Sequence, residues 1–183
     1  MSLVNGLPAH VLLVHFVVVL VPLTALALVV CAVWPAAARR MGIVLPLLAL
    51  VTLASVPLTT QAGEWLESHV DSNSLVRRHA ELGDGMLPWA GGLLVLAVVV
   101  WWATRRTIAS EDGDMDGAGA GAGGGRGTRW SAAPVRIAAA VLSVVIAAGA
   151  VVDVYRIGDS GAKAAWHDGY SKTASGGGDG DDG

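Results

Sequence analysis

Four long apolar runs in a chain of 183 residues predict an all-α integral membrane protein, an up-down bundle of four transmembrane helices. Three observations carry that prediction. Apolar residues make up 54% of the chain and charged ones 15%, where a soluble domain has about 25% charged residues. The charge is also clumped, so that Phe16–Ala38 and Met41–Gly63 contain no Asp, Glu, Lys or Arg. The runs are continuously apolar and far longer than barrel strands, which alternate over about ten residues. A single cysteine, Cys31, excludes a disulfide-stapled module, and a net charge of −3 offers no footprint for nucleic acid.

The expected spans are residues 10–34, 42–63, 86–104 and 135–155, set against about 30 Å of hydrocarbon. The fourth has the shortest apolar centre, Ile137–Val152. It reaches full length if Arg136 snorkels and Val154 and Tyr155 lie at the interface. Pro22, Pro46, Pro57 and Pro88 are read as bends, because neighbouring helices in a bilayer re-satisfy the carbonyls that proline frees. Pro57 is the sharpest candidate, with Thr59 and Thr60 beside it. The residues before the first run carry no Lys or Arg, so that run is read as a retained span and not a signal peptide.

Residues 1–170 form the expected membrane domain. Within it, residues 111–127 (EDGDMDGAGAGAGGGRG) are too poor in bulky apolar side chains to pack and are read as a flexible linker. Residues 171–183 are read as a disordered, acidic, Gly-rich tail. Trp34, Trp65, Trp89, Trp101, Trp102 and Trp130 fall near span ends, as interfacial aromatic belts do. Gly91-Gly92 with Ala90, and the set Ala138, Ala139, Ala147 and Ala148, are small-residue faces suited to close helix approach.

Orientation follows from Lys and Arg near the span ends. Arg39 and Arg40 link the first two spans; Arg105, Arg106, Arg126, Arg129 and Arg136 lie between the third and fourth. The opposite side has Arg77, Arg78, Arg156, Lys163 and Lys172, mixed with many acids. Both termini are therefore expected outside and both basic links in the cytoplasm.

All five histidines then fall on the outer side: His10, His15, His69, His79 and His167. Imidazole is the commonest transition-metal ligand and a haem axial ligand. His15 lies about 10 Å along a helix that starts near Pro8, inside the hydrocarbon, where an ionisable group should face the interior with a partner. His10, five positions earlier, projects about 140° away and sits nearer the mouth. Leu75, His79, Leu82 and Met86 fall on one helical stripe, so the third helix is expected to start near Leu75 with His79 turned inward. If helices one and three are neighbours, His15 and His79 share an outer cavity, since bundles hold haem or metal with side chains from facing helices. Glu64 is the nearest carboxylate for an ion. His69 and His167 read as interfacial or surface residues. No CxxC, HExxH or CxxCH spacing occurs, and Ser160 lacks a nucleophile elbow, so no catalytic residue is assigned.

The opening Asn5-Gly6-Leu7-Pro8-Ala9-His10-Val11-Leu12-Leu13-Val14-His15-Phe16 resembles a bacterial four-span membrane family, domain of unknown function 2231. So do Thr60-Gln61-Ala62-Gly63-Glu64-Trp65-Leu66-Glu67, Arg78-His79-Ala80-Glu81-Leu82-Gly83 and Tyr155–Trp166. The resemblance implies a multi-pass protein of the bacterial inner membrane and directs attention to His10, His15 and His79. It also implies that the position of Asp159 is often histidine in the family. Two functions are then expected to compete. One is an outward-facing histidine site holding b-type haem or a transition metal for electron transfer. The other is a non-catalytic structural or accessory subunit without cofactor. On either reading the expected partners are membrane lipid and other membrane proteins.

The orientation has a direct test. With Cys31 removed, an impermeant thiol reagent added outside should label Asn73→Cys and spare Ala120→Cys. The reverse pattern inverts the topology.

Overall fold

A computed structural model describes the backbone of residues 3–4, 7–67, 74–116 and 127–166, with side chains for 10–65, 74–107 and 134–164. A two-residue antiparallel pair, β1 (Leu3–Val4) and β2 (Leu7–Pro8), leads into α1 (Ala9–Val33). The short α2 (Pro35–Met41) links it to α3 (Val44–Glu67). Then come α4 (Ser74–Asp84), α5 (Met86–Asp116) and α6 (Gly127–Trp166).

Four stretches are long and apolar enough to cross a membrane: His10–Val33, Val44–Trp65, Ser74–Thr107 and Pro134–Ala164. The multi-pass architecture stands. Each spanning helix packs mainly on its neighbours in chain order, and α6 closes the ring against α1. Helices one and three of the bundle, α1 and α5, consequently lie across the diagonal, and His79 sits on α4, which packs mainly on α6.

Three local outcomes differ from expectation. The third helix is not continuous from Leu75: α4 stops at Asp84, and the Gly85 N–H bonds Leu82 O at 3.2 Å. Pro88 has no N–H to offer Asp84's carbonyl, which is where an unbroken ladder would need one. α6 has 40 residues, about 60 Å of helix, so it projects well beyond the hydrocarbon on either side of 135–155. α5 runs to Asp116 through the first residues of the expected linker. Residues 117–126 and the expected tail, 171–183, lie outside the described residues.

The prolines divide by position. Pro46 and Pro88 sit in the first turns of α3 and α5, where a missing N–H has no partner to lose. Pro22 and Pro57 are internal, and their helices continue through them. The Thr59 and Thr60 hydroxyls donate to Ser55 O and Pro57 O at 2.8 and 3.1 Å, adding acceptor contacts around the Pro57 turn.

The core combines Val21, Leu28, Leu45, Ala90 and Leu93 with a buried hydroxyl pair. Thr52 donates to Leu48 O at 2.9 Å, so the Thr24 hydroxyl donates to Thr52 Oγ1 at 2.7 Å, joining α1 to α3. On α6 the buried stripe is Ser143, Ala147, Ala150 and Val154, spaced as one helix face. Of the four alanines expected there, Ala147 is buried while Ala138 and Ala148 are exposed, because adjacent residues point about 100° apart. Trp89 does not serve as a belt residue. Its ring lies where a Cβ on Gly149 would stand, and Ile146 approaches the same point at Gly92 to 3.1 Å.

These contacts rank the expected losses on thermal unfolding in detergent. Thr52→Val removes a hydroxyl pair and should cost about 0.6 kcal/mol, the average for interhelical hydrogen bonds in membranes. Gly149→Ala must displace an indole from packed surroundings and should cost more, about 1–3 kcal/mol.

Candidate functional site: a histidine pair at one end of the bundle

The start of α1, the end of α3, the whole of α4 and the end of α6 meet at one end of the bundle. Two imidazoles lie there. The His10 and His79 ring centroids are 6.1 Å apart with planes at 86°, an edge-to-face pair. His10 Nδ1 is 3.1 Å from Thr59 O on α3. His79 Nδ1 is 3.1 Å from Ile157 O and 3.0 Å from Ser160 Oγ, both on α6.

Those partners fix the tautomers. A carbonyl oxygen can only accept, so each Nδ1 carries the proton and donates it. Ser160's hydroxyl donates to Ile157 O at 2.8 Å, so its oxygen accepts from His79. Each Nε2 is then left with its lone pair. Backbone-anchored Nδ1–H with Nε2 available is the arrangement in which metal-bound histidines are commonly held.

Glycines make room for both rings. A Cβ on Gly63 would stand 3.0 Å from His10 Cε1, and one on Gly161 would stand 3.0 Å from His79 Cε1. His10 thus seats on α3 and His79 on α6, and the ring pair joins α1 to α4. Below them, Asp153 Oδ2 is buried without a hydrogen-bond partner among the described residues.

His79 is turned inward as its stripe predicted: Leu75, His79 and Leu82 are half-buried and Met86 is 2% exposed. His15 is not. It lies exposed on α1, its Nδ1 2.6 Å from Val11 O one turn back in the same helix. An imidazole inside hydrocarbon needs one local carbonyl to satisfy its N–H, and the preceding turn supplies it. The expected His15–His79 pairing is therefore corrected to His10–His79. Glu64 is exposed, and no group of three His, Cys, Asp or Glu able to hold an ion occurs among the described residues. His69 and His167 lie outside them. Asp159 forms an ion pair with Lys163 at 2.6 Å on the exposed face of α6.

The family model for DUF2231, a predicted membrane protein, matches residues 6–174. The chain belongs to that family. No curated protein and no solved structure matches it. In this DUF2231 member the sequence reading missed Thr59, Ile157, Ser160, Gly63 and Gly161. The acceptors at Thr59 and Ile157 are backbone atoms and leave no trace in residue type. The glycines did leave one, since a lone glycine in an otherwise helical pattern often has a packing reason.

The seating predicts a contrast among α6 glycines. Gly161→Ala should lower thermal stability, by about 1–3 kcal/mol, because the His79 ring must shift. Gly158→Ala meets nothing within 4 Å and should be neutral or stabilise by up to about 1 kcal/mol. Equal losses at both positions would refute the seating.

Proposed function

We propose that this multi-pass membrane protein holds a b-type haem through His10 and His79 and serves electron transfer. The observation that carries the reading is the pair itself: two imidazoles from different helices, each with Nδ1–H anchored and Nε2 available. The donor count favours haem over a bare ion. Structural zinc takes four ligands, and two imidazoles are together among the described residues, whereas haem iron has four nitrogens of its own and would need fewer from the protein. A transition ion completed by outside ligands is the nearest variant of the same site.

An accessory role without cofactor is favoured by a different observation. The two Nδ1–H bonds already join α1 to α3 and α4 to α6, so the histidines have a structural task of their own.

Spectroscopy separates the readings. Full-length protein purified in mild detergent after expression with haem supplied should show a Soret band, lost in His10→Ala and in His79→Ala and retained in His15→Ala. A colourless preparation with stoichiometric metal, lost in the same two variants, identifies the ion variant. Colourless, metal-free protein overturns the proposal and leaves the accessory role.

A further inference from the structure

At the end of the bundle opposite the histidines, a cavity of about 320 Å³ opens between α2, the turn that follows it and the end of the apolar run of α5. Ala38, Arg39, Gly42, Ile43, Trp101, Thr104 and Arg105 line it. Gly42, with φ of +49°, makes the turn that ends α2 at this corner, and its N–H bonds Ala38 O at 3.0 Å. We propose that this cavity binds the phosphate headgroup of an anionic phospholipid of the phosphatidylglycerol type.

Charge is the first reason. Arg39 and Arg105 face one opening from two different helices, and among the described residues neither forms an ion pair with a carboxylate. The acids that follow on α5 begin at Glu111, six residues or about 9 Å further along the axis. Guanidinium groups are planar forks matched to the oxygens of a phosphate.

Preorganisation is the second. The Arg105 guanidinium carbon stands 5.1 Å from the Trp101 ring centroid, a cation–π distance that holds the side chain at the opening. Thr104 donates its hydroxyl proton to Val100 O at 2.8 Å, so the guanidinium groups, not this hydroxyl, supply the donors.

Depth is the third, and it selects a lipid over a free anion. Arg105 follows directly on the apolar run, and Trp101, Trp102 and Trp34 lie at the same end, where aromatic belts mark the headgroup level. Ile43 and Ala38 give the cavity an apolar wall that suits glycerol and the first acyl carbons. Basic pockets between spanning helices are the expected seats of anionic headgroups.

The test is native mass spectrometry of the full-length protein, extracted and offered an equimolar mixture of phosphatidylglycerol and phosphatidylcholine. The wild type should retain phosphatidylglycerol selectively and lose that selectivity in high salt. Arg39→Gln with Arg105→Gln should weaken retention roughly thirtyfold, the product of two basic contacts at a membrane surface. Arg156→Gln, at the other end of the bundle, should retain lipid as the wild type does. Equal retention of both lipids, or unchanged retention in the double variant, overturns the proposal. Displacement of the lipid by millimolar inorganic phosphate would show a free-anion site and overturn the commitment to lipid.

Discussion

The bundle depends on large side chains that rest on glycines of the neighbouring helix. Helices in a bilayer gain no hydrophobic energy from meeting, because lipid tails are as apolar as leucine, so close packing and buried hydrogen bonds must hold them. Trp89 on Gly149 and Ile146 on Gly92 join α5 to α6; His10 on Gly63 joins α1 to α3; His79 on Gly161 joins α4 to α6. A single Cβ at any of these positions meets a ring or branched chain before the helices reach their spacing. The Thr24–Thr52 hydroxyl pair reinforces the α1–α3 contact from within.

Two of those four contacts are also the candidate site. The same geometry that lets α3 and α6 approach places two backbone carbonyls beside two imidazoles, orienting each ring and fixing its proton on Nδ1. Packing and chemistry are therefore inseparable at this end. A change that loosens the helices tilts the rings, and a change that removes a ring leaves a void over glycine.

The two ends of the bundle differ in kind. At one end, polar groups turn inward and bond across helices. At the other, Arg39, Arg40, Arg105 and Arg106 stay exposed, and the Arg106 guanidinium lies 3.6 Å over the Trp102 ring. Arginine over tryptophan suits a surface where an apolar face must end and a charged one begin.

The sequence by itself determined the solvent, the number of spans and the family, because hydrocarbon imposes a length and a composition that any reader of the chain can measure. It also placed His79 inward, since a stripe of Leu75, Leu82 and Met86 leaves little choice. Only the tertiary structure decided which histidine meets it. Depth argued for His15, yet the preceding turn of α1 satisfies that imidazole locally and leaves it on the exposed face. His10 meets His79 because it stands in the first turn of α1, where the Thr59 carbonyl of α3 orients its ring, and because α4 packs on α6 at that same end. Helix order in a ring and the aim of a backbone carbonyl are properties of the assembled fold, and no residue type encodes them.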